Sequence, residues 1–165
     1  MTDEGFVPTA DSARAFRDAL GQFATGVTLV TTEGPSGPTG FTANSFSSLS
    51  IDPPLVLWSV ARSARRFPVF ATARHFAIHV LAADQDGLIA RFGREGPGFS
   101  GLDHQRGAHG VPLIPGALAR FECELHTTHE GGDHLIVVGR VMRALCPGGR
   151  PLVFAQGRMG RFASH

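Results

Sequence analysis

The feature that most constrains this chain is its recurrence of short alternating runs, rich in β-branched residues, between glycine- and proline-rich breaks. GVTLVTT, from Gly26, alternates in this way and predicts a strand. The turn EGPSGP follows, and TGFTANSFSSLS then reads as a second strand running into a loop. Asp52-Pro53-Pro54 breaks the chain before LVLWSV, a short buried strand, and HFAIHVL is a fourth. ARFECELHTTH alternates with Phe121, Cys123 and Leu125 on one face and Glu122, Glu124 and His126 on the other. Gly131-Gly132 is a two-residue hairpin signal, and HLIVVGRVMRAL is the returning strand. A tight turn there would set His129 opposite His134.

Helical periodicity is confined to short pieces. Asp11 or Ser12 can cap a helix running to about Gly21, with Ala15, Phe16, Ala19, Leu20 and Phe23 as its apolar stripe. RSARRFPVFATA (62–73) suggests a second helix, in which Pro68 is tolerated only near the start. ADQDGLIARFG suggests a third, stopped by Gly93. Residues 94–118 read as a long Gly/Pro-rich connection of the functional or mobile kind. Many strands, three short helices and frequent turns predict a mainly β fold: an antiparallel, closed or nearly closed barrel. A Rossmann fold needs βαβ units and a GxGxxG between strand and helix, and the sequence has neither. Residues 1–10 are expected to form a flexible arm, and residues 11–165 a single domain.

Composition narrows the chemistry. All 15 basic residues are arginine. Without lysine there is no Schiff base and no P-loop; without tyrosine there is no tyrosine acid/base group. Arginine still serves phosphate through its fixed fork of donors. The net charge of +1, with no basic run, argues against nucleic acid. No apolar stretch approaches the roughly 20 residues of a membrane span. The acidic start lacks signal-peptide character, so the expected compartment is the cytoplasm. Two cysteines outside any CxxC make no disulfide framework. The histidines His104, His109, His126, His129 and His134 do not have metal-site spacing, so no metal is expected. There is also no GxSxG elbow.

Three segments have the groups to hold a ligand. Thr39–Ser50 packs Thr42, Asn44, Ser45, Ser47 and Ser48 closely enough to match the polar edge of a flat heterocycle, with Phe41 and Phe46 around it. The same residues also suit a plain polar loop. Ser59-Val60-Ala61-Arg62-Ser63 with Arg65 and Arg66 puts hydroxyls and guanidinium groups at a strand-to-helix junction, which suits a phosphate, although local chemistry alone favours a solvated cap. Gly131-Gly132-Asp133-His134 either is a simple turn or sets an imidazole at the mouth of a cleft.

In order, the segments FRDALGQFATGVTLVTT, GFTANSFSSLSIDPPLVLWSV, HFAIHVLAADQ with RFG, GGDHLIVVGRV and PLVFAQGRMGRF span residues 13–162. Together they resemble the flavin reductase family with the FMN-binding split-barrel fold, an antiparallel Greek-key barrel. Its nearest members are the small reductase components of two-component flavin monooxygenases. The resemblance implies a homodimer with flavin near the subunit interface. It implies that Thr42, Ala43, Asn44 and Ser45 contact the isoalloxazine, with Ser59, Val60 and Ser63 near the ribityl and phosphate groups and Ser48 close by. It places Phe92 at the flavin border and makes His134 the catalytic candidate that holds the nicotinamide. Arg161 is a further candidate for the dinucleotide or the flavin rim. Met159 and Phe162 stand where relatives often carry a tyrosine.

The implied activity is hydride transfer from NADH or NADPH to FMN or FAD, the reduced flavin passing by diffusion to a partner monooxygenase. The chemistry then belongs to the cofactors, and the protein stacks the rings and accommodates charge on the reduced flavin. Two other readings stay open: a non-catalytic flavin-binding carrier or sensor, and an enzyme like pyridoxamine-phosphate oxidase. The latter lacks a basic cluster for its substrate's phosphate.

Overall fold

The computed structural model describes residues 5–163. Its strands are β1 (Thr25–Gly26), β2 (Thr28–Gly34), β3 (Gly37–Ala43), β4 (Ser47–Ser50), β5 (Leu55–Ala61), β6 (His75–Val80), β7 (Gln105–Arg106), β8 (Pro112–Leu113), β9 (Ala119–Gly131), β10 (His134–Leu145), β11 (Leu152–Ala155) and β12 (Arg158–Arg161). The helices are α1 (Ala13–Leu20), α2 (Phe67–Thr72) and α3 (Gly87–Arg91). Seven strands form one antiparallel sheet in the order β3-β2-β6-β9-β10-β5-β4.

Both edges of that sheet belong to one stretch of chain. β3 and β4 run in the same direction and are joined through Asn44, Ser45 and Phe46. The segment leaves its partner β2 at Ala43 and takes up β5 at Ser47. The sheet thereby rolls up, and the gap between the ladders is spanned by a side chain: Ser59 N–H donates to Ser45 Oγ at 3.0 Å, and Ser45 Oγ–H donates to Ser59 C=O at 3.3 Å. The two edge strands, β3 and β4, keep one ladder partner each, and this side-chain contact is what bridges the sheet where the chain passes from one edge to the other.

The barrel interior is aromatic. Trp58, Phe70 and Phe76 are fully buried, and Phe41 packs on Trp58 and Phe70 at centroid distances of 5.5 and 4.7 Å. Phe46 stacks on Phe121. Phe41 and Phe46 therefore pack against the core and do not surround a ligand; they are an odd number of positions apart, and the break in the strand at 44–46 lets both face inward. A second core lies on the outer face of β2, where Val27, Leu29, Leu81, Phe92, Ile114 and Leu152 meet. Burial on both faces explains why β2 is so uniformly buried.

Several local expectations shift. α1 begins at Ala13, and the Ser12 hydroxyl turns back to the Val7 and Thr9 carbonyls instead of capping the helix. No residue of α1 is buried, so its apolar stripe is left uncovered by the described residues. α2 covers only 67–72, because Pro68 fits a first turn and 62–66 form turns before it. The 94–118 connection packs down instead of standing free. Val111, Leu113, Ile114 and Ala117 are buried, Thr31 Oγ1 donates to Pro112 C=O, and Ile114 N–H donates to His79 Nε2. The β9–β10 turn is Gly132-Asp133, with Gly131 opposite His134 and His129 opposite Ile136, so His129 does not face His134. Gly132 takes φ +68, as the first central position of a II′ turn requires. Of the proposed arm, residues 1–4 lie outside the described residues, and residues 5–10 carry no helix or strand. Among the described residues, no helix is long and apolar enough to cross a membrane.

Candidate active site

A cleft of about 910 Å³ opens between α1 with its following turn, the β11–β12 hairpin and the strand ends that carry Asn44 and His134. Its apolar lining includes Leu20, Phe23 and Phe154. A smaller hollow of about 160 Å³, lined by Val27, Thr42, Ala43, Asn44, Ile89, Phe154 and Met159, shares Asn44 and Phe154 with it. The two hollows adjoin at these shared residues and together make a trough of a size that suits an extended small-molecule ligand.

Each sequence candidate has a definite place around this trough. Thr42 and Ala43 end β3, whose position is set from two sides. Thr28 Oγ1 donates to Ala43 C=O at 2.8 Å, and Phe92 packs so closely behind β3 that a Cβ on Gly40 would meet its ring at 3.0 Å. Phe92 itself is buried in the second core and lines neither hollow, so its side chain supports β3 from behind. Asn44 is exposed, and with Ser45 and Phe46 it falls between the two ladders, so the backbone N–H groups of this turn belong to neither. The Ser45 hydroxyl is already committed to Ser59. Ser48 is exposed on β4, opposite Val56. Val60 is buried in the barrel core, which leaves only its backbone for any ligand. Ser59 is half-buried and Ser63 exposed.

The nearby arginines are largely engaged. Arg66 Nη1 donates to Phe92 C=O at 3.0 Å and to Gly93 C=O at 3.2 Å, closing the C-terminus of α3. Desolvation, then the neighbouring Arg65, lowers the Arg66 pKa from its ordinary value. Arg62 pairs with Glu130. The phosphate-binding pattern read from Arg62, Arg65 and Arg66 therefore leaves Arg65 alone without such a bond among the described residues. Arg161 is exposed on β12, opposite Leu152.

His134 opens β10 and is held between Ala61 of β5 and Gly131 of β9. Its Nδ1 lies 2.7 Å from Asp133 Oδ1. The hydrogen bond and the charge of His134 lower the Asp133 pKa. With Nδ1–H donating to that carboxylate, Nε2 carries no hydrogen bond among the described residues, and His134 lines the cleft. Asp133 orients the imidazole and does not serve only as a turn residue.

Sequence reasoning missed the opposite wall: Arg17, Asp18, Gln22, Phe23, Phe154 and Gln156. Two signals pointed there. One was an apolar helix stripe with no evident partner. The other was Gln156-Gly157, whose positive φ values of 51 and 73 make the I′ turn between β11 and β12. A second cavity of about 320 Å³ lies at the other end of the barrel, beside the stacked rings of His75 and His109, and includes none of the candidates. No cluster of three or more metal-ligating side chains exists among the described residues.

An antiparallel barrel that folds its own edge strand across the gap, with an amide, a carboxylate-oriented imidazole and aromatic walls at the mouth, belongs to the class of nucleotide-binding split barrels. Residues 20–163 match the flavin reductase like domain. The chain is 57% identical over 158 residues to the FMN reductase (NADH) SmoA of Agrobacterium fabrum, covering 96% of this chain and 91% of that protein. It is 39% identical to the flavin-dependent monooxygenase reductase subunit HsaB of Rhodococcus jostii, covering 96% and 83%. In three dimensions it is similar to the NADH:FAD oxidoreductase SgcE6 of Streptomyces globisporus solved with NAD and FAD fragments. That match has a TM-score of 0.87 at 39% identity and covers 96% of this chain and 98% of the other. The chain belongs to the flavin reductase family, as the sequence motifs implied.

Proposed function

We propose that this chain is an NADH-dependent flavin reductase that supplies reduced flavin to a partner monooxygenase. The observation that carries this is the trough itself: one open cleft presents Asn44 and His134 together, joined to the Thr42–Asn44 hollow. When bound, the dinucleotide supplies a hydride and the flavin accepts it. The chain's own residues bind, orient and exclude water. Asn44 and the backbone donors of 44–46 meet the polar edge of a flat ring and offer hydrogen bonds to negative charge developing there. Phe154 and Ile89 give the ring an apolar surface. His134, oriented by Asp133, directs Nε2 at the carboxamide end of the incoming dinucleotide. No protein nucleophile is needed, which agrees with a chain that has neither lysine nor tyrosine.

The working unit is a homodimer. Phe16 on α1 is 42% exposed and Ile51 is 93% exposed, apolar surface outside the cleft lining that a second copy would cover. The cytoplasm is the compartment, in keeping with two unpaired thiols, Cys123 and Cys146. The test is to purify the protein, record its mass by light scattering, and follow NADH and NADPH oxidation with FMN and FAD. Steady NADH consumption that depends on added flavin is expected. Tight flavin binding without turnover would instead favour a carrier module.

A further inference from the structure

The FRDALGQF segment contributes a polar pair, Arg17 and Asp18, that the reading above leaves unused, and both line the main cleft. α1 is not held by packing, since none of its residues is buried. It is held at its C-terminal end by hydrogen bonds. Gln156 N–H donates to Gly21 C=O at 2.7 Å, Gln156 Nε2 donates to Gln22 Oε1 at 2.9 Å, and Gln22 Nε2 donates to Asp18 C=O at 3.2 Å. These bonds tie the helix to the β11–β12 turn and present Arg17 in the same cleft as Asn44 and His134.

Arg17 is the only arginine lining that cleft, and it makes no ion pair among the described residues. The arginines of the strand-to-helix junction cannot readily replace it, because Arg62 and Arg66 are engaged elsewhere. Asp18 alongside keeps the wall from being generally cationic, so only an anion within reach of the guanidinium fork gains from it. A nucleotide in this trough brings phosphate oxygens, and they need such a donor.

We propose that Arg17 is the phosphate grip of the cleft, anchoring a nucleotide phosphate while the rings lie toward Asn44 and His134. This rests on the flavin reductase reading. The phosphate belongs either to the flavin or to the dinucleotide, and one experiment separates these sources from each other and from failure of that reading. Wild type, Arg17→Gln and Arg17→Lys are compared at low ionic strength for FMN and riboflavin dissociation constants by fluorescence quenching, and for the NADH KM. Riboflavin lacks the phosphate.

Arg17→Gln is expected to weaken either FMN binding or NADH use by roughly tenfold to a hundredfold. Riboflavin binding should be unchanged, Arg17→Lys should recover part of the loss, and added salt should shrink the wild-type advantage. A loss confined to FMN assigns the grip to the flavin phosphate; a loss confined to NADH assigns it to the dinucleotide. Wild-type values for both ligands in Arg17→Gln, or an equal loss for riboflavin, would overturn the proposal. A wild-type protein that binds FMN no better than riboflavin and does not oxidise NADH would instead remove the underlying reading.

Discussion

His79 carries the most exposed physical bet in this structure. It is fully buried in β6 with both ring nitrogens used: Nδ1 lies 3.0 Å from Leu29 C=O, and Ile114 N–H donates to Nε2 at 3.1 Å. Only the neutral Nδ1–H tautomer satisfies both bonds. Burial, with a smaller push from Arg120, lowers its pKa from 6.5 to about 4, against the Leu29 hydrogen bond, which acts the other way. In the unfolded chain the imidazole takes its proton near pH 6.5; in the folded chain it stays neutral until about pH 4. Between those values the unfolded state binds the extra proton, so stability falls as pH falls. The contribution is fully present above pH 6.5 and lost by about pH 4. A shift of that size corresponds to about 3 kcal/mol.

The assay is urea unfolding at fixed protein concentration from pH 7.5 down to 4.5, for wild type and His79→Gln. The variant should be less stable at pH 7.5, because one backbone partner of the ring is left unsatisfied. Its stability should decline less steeply between pH 6.5 and 4.5, by up to about 1.4 kcal/mol per pH unit. His75, whose pKa is also lowered, first by desolvation and then by His109, and the carboxylates act alike in both proteins and cancel in the difference. Parallel pH profiles for the two proteins would refute the assignment of His79 as a neutral staple.

Other substitutions test the site and its scaffold. His134→Ala should raise the KM for NADH about tenfold while flavin affinity stays within about twofold; flavin loss with unchanged NADH kinetics would remove it from the dinucleotide side. Asn44→Ala should raise the flavin dissociation constant about tenfold, and an unchanged constant by titration would take it out of the site. Gly139→Ala probes the barrel wall, since an added Cβ would lie 2.6 Å from Phe76 Cζ. It should cost about 1–3 kcal/mol by chemical denaturation, and no loss would mean that the buried aromatic ring shifts freely.

The strands were legible because alternation is a local signal: Phe121, Cys123 and Leu125 do face the barrel core together. What sequence could not supply was the use to which each polar group is put. The Ser45 hydroxyl was available to a ligand on paper, yet barrel closure brings Ser59 to it across fourteen positions. Arg66 was read as either a phosphate donor or a solvated arginine, yet it caps a helix twenty-six positions away. In both cases a nonlocal hydrogen bond consumed the group, and periodicity contains no record of such bonds. The same reasoning works in reverse for α1. Its apolar stripe was legible from the sequence, but only the bonds from Gln156 show that the helix, with Arg17 and Asp18, forms a cleft wall. A polar side chain becomes available for chemistry when the fold leaves it unpaired in a concave place. By that measure Asn44 and Arg17 remain open to a ligand, whereas Ser45 and Arg66 are committed to the scaffold that holds them in position.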